Sequence, residues 1–192
     1  MQEERLFETR GVPFQPDLVL LYFVSNDVVP PELVRLADGW DRSHVIRWIR
    51  DLALMQRARR LLGSGGDYRE YVEHAYGPTS GAWRVGRERV RRLRDRVEAA
   101  HARFAVVIAP EIFGIERREE LVDSPYRTFH RALASLASDQ ITVIDPLAAL
   151  ATCAERPRDL WATPTDHHKN GRANRCIADF VAASGALPVG AG

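Results

Sequence analysis

The sequence predicts an α/β domain of three-layer α/β/α, flavodoxin-like type, built on a parallel sheet. Three short apolar runs are unbroken rather than alternating, as strands covered on both faces are. Amphipathic helical stretches separate them, which is the grammar of a doubly wound sheet. At 192 residues the chain fits one domain, long enough to bury a core.

The first strand is expected over 17–24, where seven apolar residues follow Asp17 and the polar Ser25, Asn26 and Asp27 stop the run. A helix is expected over 44–62, because Val45, Trp48, Ile49, Leu52 and Met55 recur at three- and four-residue spacing. The stretches 63–66 and 76–81 are rich in glycine or turn formers and read as loops. The 63–66 loop follows a helix rather than a strand and has no Lys-Ser/Thr after it, so it is a poor phosphate cradle. Over 84–103, Val90, Leu93, Val97 and Ala100 mark a second helix. Its other side carries Arg87, Arg91, Arg94 and Glu98, which reads as a solvated face before it reads as a patch for an anionic partner. The second strand is expected over 104–110 and the third over 141–146, with helices over 126–137 and 172–183.

The bulk composition excludes several classes. A hydrophobic share of 45% and a charged share of 28% are those of an ordinary globular protein. A net charge of +1 provides no field for nucleic acid or lipid. The apolar run over 18–24 is too short to cross a bilayer. Met1 is followed by Gln2, Glu3 and Glu4, acidic where the start of a secretory signal is basic, so a soluble chain without a signal peptide is expected and no compartment is assigned. Cys153 and Cys176 lack metal-ligand spacing and read as two buried thiols, with a disulfide as the alternative. No metal or organic cofactor is called for.

Reactive groups in open α/β sheets gather beyond the carboxyl ends of strands, and two segments stand there. Asn26, after the first strand, could aim a side-chain N–H at a developing oxyanion, although Asn-Asp after a strand is also ordinary turn chemistry. Asp166 and His168 lie two apart in what reads as a loop before the last helix. There a carboxylate can fix the tautomer of an imidazole that acts as general base. The neighbouring His167 raises the thought of zinc, but no acidic residue falls at the required helical spacing. A helix-leading loop of Thr, Asp and Asn is also common N-cap chemistry.

Taken together these residues resemble the SGNH hydrolases, also called GDSL-like lipases or acylhydrolases. The run 16–28 looks like the family's third block, a buried strand ending in Asn-Asp. The run 166–175 looks like its fifth block, with Asp166 two before His168 and Asn170 two after. The runs 106–111 and 143–147 look like its fourth and fifth strands, so the resemblance covers about 14–181. It implies ester hydrolysis or acyl transfer on a small-molecule acyl ester. Asn26 would be an oxyanion-hole donor, His168 the general base and Asp166 its orienting carboxylate. Asn170 sets the register on His168 rather than His167. The chain as a whole would be a single domain running from the family's third strand to its last helix. A helical insertion at about 28–83 would line or cover the acyl pocket.

The sequence departs from the pattern at its start. The family's opening Gly-Asp-Ser, which supplies the nucleophile, and its oxyanion glycine are not found, and Ser25 and Ser64 lack the context to replace them. A sheet incomplete at its N-terminal side is therefore expected, with the strand over 17–24 open to self-association. The alternative is a non-catalytic binding module of the same fold.

Overall fold

The computed structural model describes residues 2–28, 68–164 and 166–186. Helix α1 (Gln2–Leu6) passes through a π turn (Phe7–Gly11) and a 3-10 turn (Val12–Phe14) into strand β1 (Leu18–Phe23). Then come α2 (Tyr68–Tyr76), α3 (Gly81–Ala99), β2 (Arg103–Ile108), α4 (Glu119–Val122), α5 (Arg127–Ala134) and β3 (Thr142–Ile144). Helix α6 (Leu147–Cys153), strands β4 (Trp161–Thr163) and β5 (Asp166–Lys169), and helix α7 (Gly171–Ala183) complete the described chain. The expected helix over 44–62 and loop over 63–66 lie outside the described residues. Of the expected insertion, the part from Tyr68 onward is α2 and the first turn of α3.

The fold is mixed helix and strand around a parallel sheet of order β1-β2-β3. Leu18 pairs with Arg103 through to Phe23 with Ile108, and Ala105 with Thr142 through to Val107 with Ile144. Strand β2 is buried at Phe104, Ala105, Val106, Val107 and Ile108, so both its faces are covered, as its unbroken apolar run predicts. Strand β1 departs from that expectation. Leu21 and Phe23 are buried while Leu20 and Tyr22 are 40% and 43% exposed, so one face packs and the other is open. Its far edge has no strand partner among the described residues.

Under the packed face of β1 lies an aromatic cluster. Phe23 meets Trp83 edge-on and Phe129 at a tilt, both at 6.4 Å, while Tyr76 meets Phe129 at 4.8 Å. These rings come from β1, α3, α5 and α2, so the cluster ties strand to helices. Helix α3 starts where Ser80 caps it, its hydroxyl oxygen accepting the Trp83 N–H at 3.2 Å. Trp83, Val90, Leu93 and Val97 then bury one stripe. Gly86 belongs to that stripe because a Cβ there would come within 2.8 Å of the Val28 side chain.

The basic side of α3 is only partly a solvated face. Arg87 grips Asp139 with two bonds, at 2.6 and 3.0 Å, and Arg94 donates to the Asp139 carbonyl at 2.8 Å. The Arg87 guanidinium holds the Asp139 carboxyl below its usual range. These bonds fasten α3 to the turn that precedes β3.

Cys153 and Cys176 form a disulfide, which corrects the expectation of free thiols. Helices α6 and α7 pack together and set the two Cα atoms 6.4 Å apart, within bridging distance. Sequence separation alone could not have chosen between the two states. Among the described residues no helix is long and apolar enough to cross a membrane.

Candidate active site

The end of β1 is a tightly held turn. The Asp27 N–H donates to the Val24 carbonyl at 3.1 Å, which makes Ser25 and Asn26 the two central residues. The Asp27 carboxylate accepts the Val24 N–H at 2.9 Å, and the Tyr76 hydroxyl donates to the Ser25 carbonyl at 3.0 Å. Asn26 is exposed at the apex, and its side chain makes no hydrogen bond among the described residues. Turn and donor are thus compatible: the backbone makes the turn and leaves the amide free.

Burial pushes the Asp27 carboxyl up to about 6, against the Val24 N–H, which favours the charged form. The folded value exceeds the unfolded one, so between the two the folded chain holds more protons and stability falls as pH rises. Asp27→Asn keeps an oxygen for the Val24 N–H and removes the buried charge. It is expected to stabilise the chain by about 1–2 kcal/mol at pH 7, allowing for partial solvent screening, and by almost nothing below about pH 4. Urea melts at the two pH values check this.

The second segment is not the loop that its composition suggests. Strands β4 and β5 pair antiparallel as a hairpin in which Trp161 pairs with Lys169 and Thr163 with Asp166. Residues two apart on a strand share a face, and this is how Asp166 and His168 meet. The Asp166 carboxylate lies 2.5 Å from His168 Nδ1 and also accepts the His168 backbone N–H at 3.0 Å. Those bonds, the backbone one first, hold the Asp166 carboxyl below its usual range. The His168 side chain is 91% exposed, so its Nε2 is open to an incoming molecule.

His167 points the other way. It stacks on Trp161 at 3.9 Å and its Nδ1 accepts the Gly114 N–H at 3.0 Å. Gly114 has a φ of +67°, a backbone conformation suited to glycine. With its ring stacked and one nitrogen engaged, His167 anchors the hairpin. Asn170 itself caps α7, its side chain accepting the Ala173 N–H and donating to the carbonyls of Asp159 and Trp161.

A third segment, residues 110–114 after β2, joins the other two. Ser25 donates to Glu111 Oε2 at 2.6 Å, while Lys169 donates to the Pro110 carbonyl at 3.0 Å. Asn26 therefore stands at the rim of the sheet that the hairpin also borders, although its side chain bonds neither Asp166 nor His168. Ser25 is buried, its hydroxyl shared between Glu111 and Tyr68, each at 2.6 Å. No serine among the described residues bonds His168. Ser64 lies outside the described residues.

Two features had no sequence signal. Glu111 is one. The other is a second histidine–aspartate pair, in which His130 Nδ1 lies 2.8 Å from Asp145 at the end of β3. His130 is buried and its Nε2 has no hydrogen-bond partner among the described residues, so the imidazole is closed to a substrate and the pair joins α5 to the end of β3. A surface cavity of about 530 Å³ between the start of α3 and α5 is lined by Tyr76, Trp83, Arg84 and Arg131, and by none of Asn26, Asp166 and His168.

No family model, curated protein or solved structure matches this chain.

Proposed function

We propose that the chain carries the general-base arm of an SGNH-type esterase or acylhydrolase acting on a small-molecule acyl ester. In this reading His168 takes the proton of the attacking hydroxyl, which in hydrolysis by this chain is that of a water molecule, and Asn26 donates to the oxyanion formed at the ester carbonyl. The carbon–oxygen bond of the leaving group then breaks, and the imidazolium returns its proton to the departing alkoxide. Asp166 fixes the tautomer of His168. The nucleophilic serine is assigned to no residue of this sequence, and three-layer, flavodoxin-like architecture belongs to the same proposal.

The observation that carries the reading is the contact between Asp166 and His168, with the imidazole open to solvent, on a hairpin bordering the rim where Asn26 stands. Hydrolysis of an aryl acetate tests it. Turnover above buffer that His168→Ala removes supports the assignment, and turnover that the substitution leaves intact ends it. A non-catalytic binding module is the second reading, favoured by one fact: the nearest serine to Asn26 in sequence is committed to Glu111 and Tyr68.

We also propose that the edge of β1 that has no strand partner among the described residues pairs with a second copy of the chain. Its residues are apolar throughout, with none of the charges, prolines or bulges that protect natural edges. Sedimentation is expected to show self-association, which Leu20→Lys reverses; a parent chain that stays monomeric at high concentration contradicts the pairing.

A further inference from the structure

The segment after β2 joins the two halves of the rim through one carboxylate. Glu111 Oε2 accepts the Ser25 hydroxyl at 2.6 Å and the Tyr68 hydroxyl at 3.3 Å. Its Oε1 accepts the backbone N–H groups of Ile112 and Phe113, both at 3.0 Å. One side chain thereby holds the Asn26 turn and fixes the path of the chain from Pro110 to Gly114. That path is what the hairpin grips, through Lys169 on the Pro110 carbonyl and through the Gly114 N–H on His167. The Lys169 ammonium also feels the Glu111 charge, which opposes the burial that lowers its pKa.

The arrangement is stiff at both ends. Four donors converge on the carboxylate, and bonds to an ionised acceptor are about twice as strong as neutral ones. On the turn side, Ser25 is clamped through its hydroxyl and through its carbonyl, which Tyr76 binds. On the hairpin side, Trp161 stacks behind His167 and leaves the next residue, His168, exposed. Nothing in the turn touches the hairpin directly by hydrogen bond among the described residues, so the 110–114 segment is the connection between them.

We propose that Glu111 is a positioning residue that couples the Asn26 turn to the His167–His168 hairpin, so that donor and base are held as one unit. Its catalytic meaning rests on the hydrolase reading above; the coupling itself does not.

Amide hydrogen exchange on the whole chain tests the coupling without relying on activity. The probes are the Asp27 N–H, which bonds Val24, and the Gly114 N–H, which bonds His167, with the Ala173 N–H of the α7 cap as control. Glu111→Ala is expected to speed exchange at Asp27 and Gly114 together, about 10-fold or more, and to leave Ala173 unchanged. Glu111→Gln, which can still accept the Ile112 and Phe113 N–H groups and donate to Ser25, is expected to restore most of the protection. Ser25→Ala guards against a Glu111→Ala chain that does not fold: it cuts the link at the far end, and Gly114 exchange should still rise. Gly114 exchange unmoved by Ser25→Ala, or a Glu111→Ala effect confined to one of the two probes, overturns the proposal. In aryl acetate hydrolysis the same Ser25→Ala variant is expected to lower kcat with KM unchanged. Linked exchange without any hydrolysis leaves the coupling standing and removes the hydrolase reading; hydrolysis with unlinked exchange does the reverse.

Discussion

Phe23→Ala is expected to cost the folded chain about 3–5 kcal/mol and to lower its melting temperature by roughly 10 °C. Phe23 is 1% exposed at the carboxyl end of β1, and its ring touches the rings of Trp83 and Phe129. Truncation removes the largest side chain that β1 contributes to the core and leaves a void between three elements. Those elements are held at fixed separation by the strand register and by the Arg87–Asp139 bonds, so they cannot close around it. A typical domain has about 5–15 kcal/mol in total, so the loss is a large fraction of its stability. Val122→Ala, at a side chain 74% exposed on α4, is the control and is expected to move stability by no more than about 0.5 kcal/mol. Thermal and urea melts read both. If Phe23→Ala melts with the parent, this cluster is not the core of the domain.

What the sequence reveals here is what period and composition encode. The unbroken run over 104–108 announces a strand buried on both sides, and the stripe of Val90, Leu93 and Val97 announces a helix with one wet face; both are found. The run over 18–23 looks the same as that over 104–108, yet one of its faces is open. Apolar character reports what a strand can bury and is silent on which neighbours arrive to cover it. The β4–β5 hairpin was hidden because Pro164 and Asp166 are poor strand formers. It is held by tertiary contacts, the Trp161–His167 stack and the Lys169 and Gly114 bonds, which override local preference. Asp166 and His168 were legible because they are two residues apart, and a pair that close meets in a loop or a strand alike. The partners of Ser25 and His130 were not legible. Glu111 lies 86 residues from Ser25, and Asp145 reaches His130 only because β3 ends beside α5. Nor could the Cys153–Cys176 bond be read without knowing that α6 and α7 pack together.

His168→Ala is expected to remove aryl acetate hydrolysis by a factor of about 10² or more, the range that a positioned general base contributes. Asp166→Asn is expected to cost less, about 10-fold. The inequality follows from exposure. The pair lies at the surface, with the His168 side chain 91% and the Asp166 side chain 48% exposed, and there the charge of a carboxylate is strongly screened. In the proposed reaction Asp166 therefore acts chiefly through geometry, holding His168 by its Nδ1 and its backbone N–H so that Nε2 faces outward. An asparagine oxygen can still accept those bonds, whereas no group in the alanine variant replaces the imidazole. His167→Ala separates base from anchor: its ring lies between Trp161 and the Gly114 N–H, so its loss should loosen the hairpin and lower the melting temperature. A His167→Ala chain that loses all hydrolysis while melting with the parent would transfer the base to position 167. The same rate for Asp166→Asn and His168→Ala would mean that the carboxylate's charge, and not its grip on the ring, sustains the reaction.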